Sequence, residues 1–361
     1  MVDEALPPRN PPVVRPVEGA PRRVLLRLPN WVGDVVMAAS TVAALHEALP
    51  ESVLVAQAKP GLLGLAALLP GVSATLPAGE DRGPGSLRAS RRALKAEAFD
   101  AAVVFPRGIR AMLAPWLARI PVRVGFGGSG HGLLLTHPVE GWKPWRRAHR
   151  SAFFGLLGRP FGVQPEGVWR CRPSEAARAE ADRFLRGIGR RRDRPLVVLE
   201  PGAAYGPAKC WPADRFGRLA QGLLAEGVDV CTVGTRETLP LEDVVEAHAG
   251  AGLLRAAGLT PDLEALAALL AEADLVVAND TGPMHVAAAV GAPVLALFGA
   301  TDPVVSAPTG PGPRRLLWEP EPCSPCFLRR CPVPGHPCLE RFGVEQVLAE
   351  ARALLPAGSK G

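Results

Sequence analysis

The chain has 361 residues, long enough for two domains of ordinary size. Its 48% hydrophobic and 21% charged content excludes a disordered chain, and no apolar run reaches membrane-spanning length. Met1 is not followed by a signal-peptide pattern. The net charge of +6 and pI of about 9.2 suit an anionic partner, such as a nucleotide, a phosphorylated lipid surface or nucleic acid. An arginine-rich composition alone would give the same figures.

Residues 1–22 are too rich in proline for a strand or helix and read as a flexible tail. Val24–Leu28 is the first strand. PNWVGD follows, with Asp34 in the loop and Gly33 allowing close backbone approach, and then a helix from about Val35 to Leu49. Ser52–Gln57 and Phe99–Phe105 read as strands, Leu62–Leu69 and Leu87–Ala98 as helices, and Gly79–Gly85 as a polar loop. This alternation points to a doubly wound parallel sheet. Arg107 and Arg110 follow the strand ending at Phe105, on the same carboxyl-end rim as Asp34. Arg123, Lys143, Arg146, Arg147 and Arg150 add charge further on; singly each reads as a solvated surface residue, together as a lining for an acidic acceptor.

A second α/β unit starts near Arg194, after a helix at Ala176–Gly187 and a charged turn at Arg190–Arg194. Leu196–Glu200 is a strand, PGAAYGPAKCWP a loop, and Ala213–Glu226 a helix closed by Gly227. Gly202, Tyr205, Gly206 and Lys209 thus lie between strand end and helix start, where backbone amides and one cation meet a phosphate. Neither the P-loop nor the GxGxxG spacing is present. The competing reading is a turn with an exposed lysine. Asp229–Gly234 reads as a strand, and Ala247–Ala257 and Asp262–Ala271 as helices.

Ala271–Phe298, AEADLVVANDTGPMHVAAAVGAPVLALF, then reads strand, polar loop, helix, strand. Open α/β sheets bind ligands beyond the carboxyl ends of their strands, so NDTGPMH is where chemistry is expected. The alternative is that Asp280 or Thr281 only caps the helix. The two units would face each other across a cleft, with Asp34 on one side and Lys209 and Asp280 on the other. Near the end, Cys323, Cys326, Cys331 and Cys338 are spaced C-x2-C-x4-C-x6-C, with His336 beside the last. The first half is that of a tetrathiolate zinc site and the second half is not, so structural metal, buried thiols and disulfides all stay open. Val344–Leu355 reads as a terminal helix.

WVGD with its helix, PGAAYGPAKCWP, NDTGPMHVAAAVGAPVLALFGATDP and the cysteine-rich end resemble the ADP-heptose:lipopolysaccharide heptosyltransferases of glycosyltransferase family 9, with the best fit to the heptosyltransferase II branch. The resemblance covers roughly Val24 to Leu354. It implies an α/β fold of the GT-B type, with two Rossmann-like domains. These are an acceptor domain over 23–175 and a nucleotide-sugar donor domain over 176–343, with a helix at 344–361 crossing back to the first domain. It implies inverting transfer of heptose from ADP-heptose to the anionic inner core of lipopolysaccharide, on a heptosyl-Kdo2-lipid A type acceptor, at the cytoplasmic face of the inner membrane. No cofactor is implied for catalysis, and a structural zinc would be additional.

Carried over by position, Asp34 matches the family's catalytic aspartate and Lys209 the lysine on the donor pyrophosphate. Asp280 matches the aspartate on the sugar hydroxyls, and Thr281, Gly282 and His285 surround phosphates and sugar. Gly202 and Tyr205 belong to the donor loop, and Arg107 and Arg110 would serve the acceptor. The chain departs from the pattern at Cys210, where arginine is usual, and at Pro283, where leucine is frequent. The competing classes are another nucleotide-sugar enzyme on this fold, a non-catalytic binder of anionic ligands, and a nucleic-acid-binding module. Few aromatics and scattered basic residues speak against the last, so no nucleic-acid partner is expected.

Overall fold

The computed structural model describes residues 8, 11–79, 83–128, 130–165 and 168–356. The chain divides into two compact units, residues 1–169 and 170–361, so the boundary falls a few residues before the expected 175/176. Both units are α/β, each built on one six-stranded parallel sheet, as the GT-B reading requires.

The first sheet contains β1 (Arg23–Arg27), β2 (Val53–Ala58), β3 (Val72–Pro77), β4 (Ala101–Val104), β5 (Val122–Phe126) and β6 (His137–Val139), in the order 3-2-1-4-5-6. Every neighbouring pair is parallel. Its helices are α1 (Val32–Ala48), α2 (Leu63–Ala67), α3 (Gly83–Ala96), α4 (Ile109–Leu117) and α5 (Arg150–Gly155). β1 and β4 are buried along almost their whole length, which is why they read as unbroken apolar runs rather than as alternation. β3, β5, β6 and α4 were not legible. β3 is half exposed at the sheet edge, and α4 carries Pro115 in its interior.

Part of the expected tail is not loose. Residues 1–7, 9 and 10 lie outside the described residues, but Pro12 and Pro21 are buried and the Val17 N–H donates to the Pro160 carbonyl at 2.7 Å. Proline's fixed φ suits such an extended strap, which needs no ladder partner. The expected loop at Gly79–Gly85 ends early, because α3 already begins at Gly83; residues 80–82 lie outside the described residues.

The second unit repeats the plan. α6 (Glu175–Gly187) precedes β7 (Leu196–Glu200), α7 (Ala213–Ala225), β8 (Asp229–Thr232), α8 (Leu239–Ala249), β9 (Leu254–Arg255) and α9 (Leu263–Leu270). β10 (Leu275–Asn279), α10 (Gly282–Val290), β11 (Val294–Phe298), α11 (Pro303–Ser306), β12 (Arg314–Trp318), α12 (Pro337–Glu340) and α13 (Val344–Leu354) follow. The sheet order is β12-β11-β10-β7-β8-β9, the same 3-2-1-4-5-6 arrangement counted from β7. The helix expected at Ala247–Ala257 is displaced. Pro240 opens α8 earlier, and Gly250, at φ 78°, closes it before β9.

α13 was expected to cross back to the first domain. Its described packing is within the second unit, where Val347 and Ala351 join Trp211, Phe216, Leu219 and Leu223 of the core. Full burial of one such aliphatic side chain contributes roughly 1.5–3 kcal/mol.

Candidate active site

In a 3-2-1-4 sheet the strand order reverses between the first and fourth strands, and the crevice beyond their carboxyl ends is the ligand site. Each unit has one such point.

In the first unit, β1 runs into Asp34 and β4 into Arg107. Asp34 is not in the loop, as expected, but is the third residue of α1. Trp31, in extended backbone, takes the N-cap position without a side-chain hydrogen bond, so the helix starts one turn earlier. Asp34 therefore does not cap the helix; its carboxylate sits in the first turn, where the helix dipole favours negative charge. Its side chain is 30% exposed, and Arg150 Nε lies 3.8 Å from its Oδ1. The Arg107 guanidinium lies 5.3 Å from the Trp142 ring centre and 5.9 Å from that of Phe153, while Arg150 covers Phe153 at 5.4 Å. Phe126 stacks on Phe153 at 4.3 Å, and Trp142 Nε1 donates to the Gly127 carbonyl at 2.6 Å, which fixes the aromatic floor. Burial lowers the Arg107 pKa, and Arg146 and Arg150 add to this; Asp34 acts in the opposite sense. An arginine has far enough to fall that it remains a cation. Arg110 stands exposed in the first turn of α4. The arrangement offers an accessible carboxylate beside a cluster of guanidinium groups.

In the second unit, β7 runs into Gly202 and Lys209, and β10 into Asp280 and Thr281. Lys209 Nζ donates to Asp280 Oδ2 at 2.7 Å and to the Asp280 carbonyl at 3.2 Å. Thr301 Oγ1 donates to the same Oδ2 at 2.6 Å, and His285 Nε2 lies 4.0 Å from Oδ1. The pair is largely buried, with side chains 15% and 5% exposed. Asn279 is a clamp: its Nδ2 donates to the carbonyls of Glu200, Pro201 and Gly202, and its Oδ1 accepts from the Trp211 N–H at 2.9 Å. Thr281 holds the N-cap of α10, but its hydroxyl bonds Glu200 Oε2 at 2.9 Å rather than capping the helix. Gly282 begins α10, and Pro283 is tolerated in its first turn as expected. Burial pushes Glu200 up to about 8, opposed by its hydrogen bonds from Thr281 and the Gly202 amide.

The loop bearing Lys209 is held from above by the cysteine-rich segment. Ala208 N–H donates to the Arg329 carbonyl at 3.1 Å, Tyr205 Oη donates to that of Phe327 at 2.6 Å, and His336 Nε2 is 3.0 Å from the Ala208 carbonyl. Lys209 and Arg329 both lie over the Tyr205 ring, at 5.1 and 5.3 Å. Gly206 must be glycine here: its φ is 147°, and a Cβ would stand 2.4 Å from the Arg329 oxygen. Cys323, Cys326, Cys331 and Cys338 are all free thiols and, with His336, line one cavity of about 30 Å³. Burial pushes the Cys338 thiol up to about 11, with the other three cysteines adding to it. Among the described residues, no three His, Cys, Asp or Glu side chains are already set as a metal ligand group.

The model of glycosyltransferase family 9 (heptosyltransferase) matches residues 87–336, well over half of the sequence. The chain belongs to glycosyltransferase family 9. It is therefore a glycosyl-transferring enzyme. It is 28% identical to lipooligosaccharide heptosyltransferase 2 of Haemophilus ducreyi over 312 residues, which span 79% of this chain and 86% of that one. Lipopolysaccharide heptosyltransferase 2 of Escherichia coli is 27% identical over 299 residues, spanning 79% and 85%. Among solved structures, ADP-heptose lps heptosyltransferase II of Escherichia coli superposes with a TM-score of 0.77 at 25% identity, covering 92% of this chain and 98% of that one. A family 9 protein from Veillonella parvula reaches 0.79 at 21% identity over 94% and 98%, which speaks for the fold. No helix among the described residues is long and apolar enough to cross a membrane.

Of the residues singled out from sequence, Lys209, Asp280, Thr281, Gly282, His285, Gly202 and Tyr205 gather at the second switch point. Asp34 and Arg107 gather at the first. Sequence reasoning passed over Glu200, Asn279, Thr301, Trp142 and Phe153. Asn279 and Thr301 stood inside quoted motifs, and their signal was position at a strand end. Trp142 and Phe153 lie far from Arg107 in sequence and gave no signal.

Proposed function

We propose that this family 9 enzyme transfers heptose, with inversion, from ADP-heptose to the inner core of lipopolysaccharide, on an acceptor of the heptosyl-Kdo2-lipid A type. The observation that carries this is the pair of switch points, each furnished for one half of a glycosyl transfer. The heptosyltransferase 2 relatives and the ADP-heptose enzyme of Escherichia coli supply the sugar. The second unit receives the donor. Lys209 and the amides at the start of α10 meet the pyrophosphate, and Asp280, still held by Thr301 and His285, turns to the sugar hydroxyls. The first unit receives the acceptor, with Arg107, Arg110 and Arg150 toward its anionic groups and Asp34 as general base. The acceptor oxygen forms its bond to the anomeric carbon as the bond to ADP breaks. Asp34 takes the hydroxyl proton, and ADP leaves with the bonding electrons, its charge met by Lys209. No cofactor is assigned to these steps. On this reading the lipid-anchored acceptor is met at the cytoplasmic face of the inner membrane, with peripheral contact.

The test is donor-dependent labelling of heptose-deficient lipopolysaccharide by purified protein. Incorporation from ADP-heptose but not from other nucleotide sugars supports the reading, and incorporation of another sugar in its place contradicts it.

We also propose that Cys323, Cys326, Cys331 and Cys338 close on one structural zinc. Support comes from their convergence on a single cavity able to hold one small ion, with Cys323, Cys326 and Cys331 between β12 and α12 and Cys338 in α12. Elemental analysis should find about one zinc per chain, lost in Cys323→Ser; metal-free protein of full thermal stability would contradict it.

A further inference from the structure

Glu200 is a buried titratable group that this mechanism leaves without a role. It ends β7 directly beneath the donor loop and is only 4% exposed. One carboxyl oxygen bonds the Thr281 hydroxyl at 2.9 Å, and the other lies against Gly202, 3.3 Å from where its Cβ would stand. β10 runs beside it, with Ala278 paired to Glu200, so Lys209 and Asp280, where the donor's phosphates and sugar are assigned, follow the ends of the two adjacent strands. A carboxylate here would place a second negative charge behind a site built for an anion.

We propose that Glu200 is a positioning residue whose proton decides which way the Thr281 hydroxyl faces. A threonine hydroxyl has one hydrogen and two lone pairs. When Glu200 is a carboxylate, Thr281 must donate that hydrogen to it. When Glu200 is an acid, its own O–H donates to Thr281 Oγ1, the other carboxyl oxygen stays unprotonated beside Gly202, and the Thr281 hydrogen turns outward to an anionic ligand. The acid form therefore presents an extra donor at the start of α10 and removes a repelling charge. Burial, which holds the carboxyl up to about 8, keeps this form in the majority at neutral pH. The inference rests on the donor-site reading and adds a pH-dependent element to it.

The other groups around Glu200 do not mimic this behaviour. From the loop after β7, Cys210 interacts with Glu200 electrostatically, but burial pushes its thiol up to about 12, so it stays neutral. Lys209 is tied to Asp280 at the end of β10, and Asp280 also receives Thr301 and faces His285 of α10. On the remaining side, the Thr238 hydroxyl comes within 3.0 Å of where a Gly202 Cβ would lie, and it carries no charge.

The test is calorimetric titration of ADP into the full chain from pH 7 to 9.5, above the range in which a terminal phosphate changes charge (a pKa of about 6). Wild-type affinity should fall about tenfold across that range, the loss of one hydrogen bond to a charged group. Glu200→Gln, which offers the donor and acceptor of the acid at every pH, should give a flat profile. Thr281→Val, which has no hydroxyl to turn, should bind weakly and with little dependence on pH. A flat wild-type profile, or the same fall in Glu200→Gln, overturns the inference. If Glu200→Gln does not fold, a steep fall in Thr281→Val overturns it as well. Absence of ADP binding at pH 7 would instead remove the donor-site reading on which it stands.

Discussion

Two switch points on two sheets of identical strand order have been furnished in opposite ways. At the first, the acid is 30% exposed, its cation stands 3.8 Å off, and the surrounding guanidiniums lie on aromatic faces. At the second, the acid is 5% exposed, receives Lys209 at 2.7 Å and Thr301 at 2.6 Å, and the turn behind it is clamped by Asn279. A base must be reached by a hydroxyl that arrives with the acceptor, and it must be able to gain a proton. A phosphate and sugar site gains from donors fixed before the ligand arrives. The same topology thus supports a more open site and a more closed one, and the difference lies in how deeply each carboxylate is buried and how closely its cation approaches.

The largest expected effect breaks the comparison at its open side. Asp34→Asn should lower turnover by roughly 10²–10⁴-fold, the usual share of a general base, and remove the acidic limb of the pH–rate curve. Stability should change little, because Asp34 is inside the helix rather than its cap, and both its dipole interaction of about 0.3–1 kcal/mol and its partly exposed ion pair with Arg150 are weak. Near-normal turnover in a folded variant would leave Asp34 without a catalytic part.

The next effect sharpens the closed side. Glu200 titrates near 8 when folded against 4.5 unfolded, so between those values the native state binds the extra proton and stability falls as pH rises. The fall is at most about 5 kcal/mol, complete once pH passes the folded value. Denaturant unfolding of Glu200→Gln should lack this decline between pH 4.5 and 8; an identical decline in the variant would assign it to other groups.

The third concerns the buried pair. Lys209→Ala should weaken ADP by roughly 1.5–3 kcal/mol, one charge-assisted contact. It should also lower stability, since Asp280 is left buried without its close cation, with the Thr301 hydroxyl at 2.6 Å and His285 Nε2 at 4.0 Å. Unchanged ADP affinity in a folded variant would remove Lys209 from the donor site.

Most of the second unit was legible because its central strands β7, β8, β10 and β11 are buried on both faces and end in punctuated loops. NDTGPMH and PGAAYGPAKCWP each mark a strand end by a change from apolar run to Gly, Pro and polar residues. The first unit was harder. Its edge strands are short or half exposed, and its aromatic floor comes from Phe126, Trp142 and Phe153, which no local pattern links to Arg107. Asp34 was expected in the loop before the helix, but it lies in the first turn of α1, since Trp31 is a poor cap by residue type and the helix begins there nonetheless. Glu200 was invisible as a functional residue because the end of an apolar strand gives no hint that the carboxyl stays inside.

The division of labour between the two switch points is tested most directly by titrating ADP into four variants under one condition, Asp34→Asn and Arg107→Ala from the first unit, Lys209→Ala and Thr281→Val from the second. The account predicts that ADP affinity stays within about twofold of wild type for the first pair and falls by about tenfold or more for the second. A loss of ADP affinity in Asp34→Asn or Arg107→Ala as large as that in Lys209→Ala would contradict it.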